Sequence, residues 1–276
     1  MNLGINPAHF IKAAVWEEKR NMFEAIDLVK EAGFKHFDLG LSNRKLAEEV
    51  AIYLKDNGLT VVQSHIPFNR YKREDYDTFS KTVMECAENA KILGSKILVV
   101  HGDEFDFKNM TYTSEKALEF NYKLFYNMVA FAANNGMRVA FEDVFQDGDP
   151  IKETRYCSFV EDLCALVDKY NTDKVGICWD SGHAKVQYGD EHIKALKVAG
   201  SRVISTHIHD NYYDKDLHTF PFMGNTNWRE FMKTLREIDY KGDFTFELVY
   251  DQLPKELAPD YLKLLYKSGE YLINKV

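Results

Sequence analysis

The sequence predicts an α/β fold in which eight parallel strands, each followed by a helix, close into a single (β/α)8 TIM barrel spanning residues 1–276. Three observations carry this expectation. Short apolar runs alternate without lapse with longer stretches of helical period. Eight such units in 276 residues average about 34 residues each, the length of a βα repeat closed into a barrel. Polar residues of catalytic type also gather at the ends of the apolar runs, where barrel active sites form.

The elements follow in order. LGIN (3–6) precedes a helix over 22–32, HFDLGLS (36–42) one over 45–56, and TVVQSHIPF (60–68) one over 76–93. KILVVHG (96–102) is followed by 114–134, RVAFEDVF (138–145) by 159–170, and VGICWD (175–180) by 190–198. VISTHIHD (203–210) leads to 227–238, and DFTFELVY (243–250) to 256–273. Spacings such as Met22, Ile26, Val29 and Leu163, Leu166, Val167 have the 3.6-residue period of a helix with one apolar face. Gly33, Gly58, Gly94, Gly136 and Gly242 each stand between a helix and the next strand, where a glycine C-cap belongs.

Composition narrows the function classes. With 45% hydrophobic and 28% charged residues the chain has the make-up of a globular domain with a full core. No run approaches the ~18 apolar residues of a membrane span, and the start MNLGINPAHFIKAAVWEEKR lacks a secretory pattern, so a cytoplasmic protein is expected. The cysteines Cys86, Cys157, Cys164 and Cys178 show no C-x-x-C spacing, which predicts reduced, mostly buried thiols rather than a thiolate zinc cluster. A net charge of −8 disfavours nonspecific nucleic-acid binding.

Chemistry concentrates between Val175 and His218. Two apolar runs there end in VGICWDSGH and VISTHIHDNYYDKDLH, which supply Asp180, His183, His207, His209, Asp216 and His218. Alternation puts Cys178 with Asp180 on one strand face, and His207 with His209 on another. Each residue alone reads as a hydrogen-bonded core or turn residue. Together they read as a site for a divalent metal, since burying so many polar groups without partners would cost a few kcal/mol each. Six of the nine histidines, His65, His101, His183, His207, His209 and His218, fall at or just after a strand end. Glu142 and Glu247 occupy equivalent late positions in apolar strands five and eight, where an unpaired charge would be expelled.

FED (141–143), GICWDSGH (176–183), HIHDN (207–211), DLH (216–218) and FEL (246–248) resemble the xylose-isomerase-like barrels, a superfamily of sugar epimerases, sugar-phosphate isomerases and endonuclease IV. The resemblance covers essentially the whole chain. It implies one divalent metal held by Glu142, Asp180, His207 and Glu247, with His209 the rival for the third place. The endonuclease branch adds two metals, and positions matching its further ligands are His65, His101, His183, Asp216 and His218. His-Gly-Asp (101–103) and Asp-Ser-Gly-His (180–183) depart from the nuclease pattern, while FPFMGNTNW (220–228) departs from the glycine-rich turn of both branches.

The expectation that follows is a metal-dependent sugar or sugar-phosphate isomerase/epimerase. Glu142 and Glu247 would transfer a proton through an enediolate that the metal stabilises. Mn²⁺, Zn²⁺ and Co²⁺ all suit such mixed nitrogen and oxygen ligands. His183 and His209 are expected to contact substrate hydroxyls. Arg70, in the basic run Arg70, Tyr71, Lys72, Arg73, is expected to hold a sugar phosphate. The alternative is an endonuclease IV-like phosphodiesterase acting at abasic DNA, with that run as its phosphate grip; a sugar-binding barrel without catalysis is the third reading. A homo-oligomer is compatible with all of them.

Overall fold

The structure, a computed structural model, describes residues 1–7, 20–66, 76–102, 113–146, 155–212, 215–249 and 253–276. Its strands are β1 (Leu3–Ile5), β2 (His36–Asp38), β3 (Thr60–His65), β4 (Ile97–His101), β5 (Arg138–Glu142), β6 (Val175–Asp180), β7 (Val203–His207) and β8 (Phe244–Phe246). They form one parallel sheet in the order β7-β6-β5-β4-β3-β2-β1-β8. A bridge between Ile208 and Phe246 joins the two ends, with Ile208 N donating to Thr245 O at 2.8 Å and Glu247 N to Ile208 O at 3.1 Å. The result is the (β/α)8 TIM barrel read from the sequence.

Around it lie α1 (Arg20–Glu31), α2 (Arg44–Asp56), α3 (Tyr76–Ile92), α4 (Ser114–Asn134), α5 (Val160–Tyr170), α6 (Ser181–Tyr188), α7 (His192–Ala199), α8 (Trp228–Glu237) and α9 (Ala258–Lys275). Local chemistry starts several of them. Asn43 accepts from Leu46 N at 2.9 Å, Thr113 from Lys116 N at 3.2 Å and Asn227 from Glu230 N at 3.2 Å, each satisfying a donor with no partner inside its helix.

Two expectations need correction. The stretch after β6 is not one helix over 190–198 but α6 followed by α7, because Asp180 caps a helix at the very end of the strand. Gly33, Gly58, Gly94 and Gly136 take the left-handed φ of a C-cap (+115°, +65°, +80° and +72°), but Gly242 does not. After α8 that conformation falls to Asp239 (φ 56°). Gly242 is required by space instead, since a Cβ there would lie 2.8 Å from the Ile204 carbonyl oxygen. The four cysteines are free thiols, and three of them are buried.

Strand alternation decides what each side of the barrel wall holds. Leu98, Val100, Val139, Phe141, Ile177, Trp179, Phe244 and Phe246 belong to the main apolar core. Val99, Ala140 and Cys178, with Ile204, form a separate small cluster. One step further along those same faces stand His101, Glu142 and Asp180. The opposite half of the interior is polar: Ser205 Oγ on β7 donates to Gln63 Oε1 on β3 at 2.5 Å, and Thr245 Oγ1 on β8 to the same atom at 3.4 Å. These strands are not sheet neighbours, so the bonds cross the barrel.

The loop from β7 to α8 is organised by one buried carboxylate. Asp210 accepts from Asn211 N (3.0 Å), Phe222 N (3.0 Å), Thr226 N (3.1 Å) and Trp228 Nε1 (3.0 Å). Gly224 is needed beside it, as a Cβ would come within 2.3 Å of Asp210 Oδ1. Asp210→Ala strands the buried Trp228 and Thr226 donors, at 1–3 kcal/mol each. Urea denaturation should therefore show a loss of about 3 kcal/mol; a variant within 1 kcal/mol of wild type would mean the loop stands without the clamp.

Candidate active site

Imidazoles at the carboxyl ends of β3, β4 and β7 converge on one acidic residue. Glu142, at the end of β5, is fully buried. Its Oε2 lies 3.1 Å from His65 Nε2 at the end of β3 and 3.2 Å from His101 Nε2 at the end of β4. Its Oε1 lies 3.0 Å from His207 Nδ1, and Glu247 Oε2, just past β8, lies 3.3 Å from that same nitrogen. Asn6, just past β1, holds the other oxygen of Glu247 through an Nδ2 donor at 3.0 Å.

Asp180 connects the strand end to the helix that follows. Its Oδ1 accepts from Gly182 N (2.8 Å) and His183 N (2.7 Å) as the N-cap of α6, and its own amide donates to Asp143 Oδ1 at 2.6 Å. His209 Nε2 stands 2.9 Å from Asp180 Oδ1, over Gly182, where a Cβ would come within 1.8 Å of the ring. His209 stacks on His218 with centroids 3.9 Å apart and belongs to none of the ligand groups described below.

Three groups of side chains each offer ligand atoms within 4.8 Å of one another: Glu142, Asp180, His207 and Glu247; His65, Glu142 and His207; and His183, Asp216 and His218. Glu142 and His207 belong to two of them. In the third, His183 Nδ1 donates to Asp143 O (2.8 Å) and His218 Nδ1 to Glu247 O (3.1 Å). A carbonyl only accepts, so Nδ1 keeps its proton in both rings and Nε2, 3.6 Å and 3.2 Å from Asp216 Oδ2, is the nitrogen that gives up its proton when the ring becomes neutral to take a cation. His218 holds a left-handed φ of 46°, a local strain of the kind found where a side chain must be aimed.

Electrostatics reflect this crowding. Burial pushes the Glu142 carboxyl up, but the charge of His207, then that of His101, outweighs it and holds it well below the usual range. Asp180 is brought to about 2 against its burial by His183 and His209, and Asp216 is lowered against its burial by His183 and His218. Burial works against a charged His183, His207 and His218, yet facing groups raise all three, Asp180 and Asp216 for His183, Cys178 ahead of Glu142 and Glu247 for His207, and Asp216 and Glu247 for His218, the last to about 9. Burial takes His101 down to about 4. Asp143 goes the other way, well above the usual range, through burial and the neighbouring Asp180 charge.

The residues present fit a divalent cation. Glu142 Oε1, Asp180 Oδ2, His207 Nδ1 and Asp216 Oδ1 are buried atoms without a well-oriented hydrogen bond, and together they are the oxygen and imidazole donors such ions take. Every residue named from the sequence as a ligand lies in this cluster or against it. Arg70 and the run around it lie outside the described residues. Four contributors escaped the sequence reading: Asn6, Asp38, Gln63 and Asp143. Asp38, a fully buried carboxylate ending the apolar run of β2, obeys the same strand-end rule that singled out Glu142 and Glu247.

An uncharacterised protein, y4fM, of Sinorhizobium fredii is 26% identical over 260 residues, covering 83% of this chain and 81% of that one. A D-tagatose 3-epimerase-like protein superposes with a TM-score of 0.78 at 20% identity, over 100% of this chain and 99% of that one. The IOLI protein with a bound zinc atom superposes at 0.75 and 16%, again over 100% and 99%. These superpositions agree on the barrel, and residues 26–268 match the family described as the xylose isomerase-like TIM barrel, so the chain belongs to that family.

Proposed function

We propose that the protein is a divalent-metal-dependent isomerase or epimerase of a sugar or sugar phosphate. The observation that carries this reading is the placing of Glu142 and Glu247 within 3.0 and 3.3 Å of one His207 nitrogen, inside a four-residue ligand group completed by Asp180. Two carboxylates at one buried point can share the work of moving a proton. The likeness to a protein named for a sugar 3-epimerase and to one holding zinc supports the substrate class and the metal.

Glu142, Asp180, His207 and Glu247 would hold the cation, with Zn²⁺, Mn²⁺ and Co²⁺ all suited to the set. When bound, it supplies positive charge that stabilises an enediolate formed from an α-hydroxy carbonyl. One glutamate removes the proton from the carbon beside the carbonyl and the other returns one to the opposite face, which inverts that centre. If a single carboxylate serves two adjacent carbons, the outcome is an aldose–ketose shift. His183, at the rim of the group, and His209, through Asp180, would set the sugar hydroxyls, and Arg70 would meet a phosphate where the substrate carries one.

A second reading has its own observation. Single-metal proton transfer needs no cation in the His183, Asp216 and His218 group, nor at the pairing of His65 and His101 on Glu142 Oε2. Clustered cations in those places suit the in-line displacement of a phosphodiester. Elemental analysis of the purified protein separates the two: about one bound metal per chain supports the isomerase, and three support the phosphodiesterase at abasic DNA.

Glu247→Gln should lower kcat on the active sugar ~10²–10⁴-fold, the usual share of general acid–base catalysis, while KM changes little. Solvent deuterium should enter the substrate carbon during turnover of a ketose panel. No exchange with any ketose or ketose phosphate, together with cleavage of abasic DNA, would reverse the assignment.

Proton competition gives a further expectation. His183, His207 and His218 have folded values above the ordinary 6.5, so the stability they contribute is full below pH 6.5 and is lost as pH rises through those values, for His218 about 9. Asp143, also raised, acts in the same direction. The melting temperature of chelated protein should thus fall between pH 6.5 and 9. Added Mn²⁺ should raise it most at the alkaline end, because the ligand imidazoles must be neutral to bind. A melting temperature that ignores both pH and chelator would sink the metal reading.

A further inference from the structure

We infer that Asp38 is a positioning residue that fixes His207 as an Nδ1 ligand. The inference rests on the metal reading above and adds a residue from the far side of the barrel to it. His207 is oriented unlike its neighbours. His65, His183 and His218 each direct Nδ1 to a backbone carbonyl, Ile66 O at 3.0 Å, Asp143 O at 2.8 Å and Glu247 O at 3.1 Å, and turn Nε2 toward the carboxylates of the site. His207 does the reverse. Its Nε2 meets Asp38 Oδ2 at 2.7 Å, while its Nδ1 faces Glu142 and Glu247.

An ionised carboxylate only accepts, so the bond to Asp38 keeps a ring proton on Nε2, and Nδ1, which faces Glu142 and Glu247, is the nitrogen whose proton a cation would displace and whose lone pair would then ligate. Asp38 is itself tightly held. Gln63 Nε2 donates to its Oδ2 at 3.0 Å and His65 N to its Oδ1 at 3.0 Å. The Gln63 amide cannot turn round without loss, since its Oε1 accepts from Ser205 and Thr245. Thus β2, β3, β7 and β8 together fix the orientation of one imidazole. A fully buried carboxylate whose described partners are an amide, a peptide N–H and an imidazole is costly to keep merely for packing.

Asp38→Asn keeps the shape and the bond from His65 N, but its amide can donate to His207 Nε2, which favours the tautomer with its lone pair on the wrong nitrogen. Zn²⁺ affinity, measured by chelator competition, should fall about 10- to 100-fold, the usual effect of losing such a partner. The second readout uses wild-type protein. Long-range ¹H–¹⁵N spectra of histidine-labelled, Zn²⁺-loaded protein, with His207 assigned through His207→Gln, should show the proton on Nε2 and the metal on Nδ1.

The inference is overturned if folded Asp38→Asn binds Zn²⁺ within twofold of wild type, or if His207 carries its proton on Nδ1. The spectra decide the matter even if the variant does not fold. Wild-type protein that binds no Zn²⁺ would overturn the metal reading, and this inference with it.

Discussion

The Glu142 carboxylate is the constraint on which the top of the barrel depends. It is fully buried, and the described residues that pair with it are imidazoles from three different strands and one helix: His65, His101, His207 and His183. A buried anion must be compensated, and here the compensation comes from side chains that also bind metals. Each of those histidines is oriented by something further out, so the order of the site extends well beyond the atoms at its centre. Displacing Glu142 would leave several buried imidazoles facing one another without their shared partner.

Asp143 and Asp180 extend the same logic sideways. Asp180 N donates to Asp143, Asp180 caps α6, and the first turn of α6 carries His183, whose ring bonds back to the Asp143 carbonyl. Strand β5, strand β6 and a short helix therefore close a ring of hydrogen bonds through the site. Asp210 does for the following loop what Asp180 does for α6, collecting four donors so that Asp216 and His218 return to the same point. Both devices are buried carboxylates held by backbone N–H groups, Asp180 as a candidate ligand itself and Asp210 outside the ligand groups.

The interior shows a division of labour. A small apolar cluster from β4, β5 and β6, with Ile204 of β7, lies beneath one side of the site, and a polar network through Asp38, Gln63, Ser205 and Thr245 beneath the other. Polar residues at that depth lower the general stability of a barrel, but they give directional bonds that apolar packing cannot. His207 sits on the polar side, and it is the candidate ligand whose ring is turned the opposite way from the others.

The sequence by itself determined the fold, since eight alternations of two hydrophobic periods admit few architectures. It also determined which end of the barrel is chemical, because Glu142, Asp180, His207 and Glu247 all stand late in apolar runs where a charge needs a reason. Strand period and strand-end position are local properties, legible along one chain. Asp38 and Gln63 were legible only as polar residues in short runs, for their partners lie 169 and 142 positions away. Which nitrogen of His183, His207 and His218 faces inward was decided by the acceptor that the other nitrogen meets, Asp143 O, Asp38 and Glu247 O. The stacking on His218 of His209, which belongs to no ligand group, was decided in the same way by tertiary contact. Those choices depend on atoms brought together from strands far apart in sequence, and no spacing rule contains them.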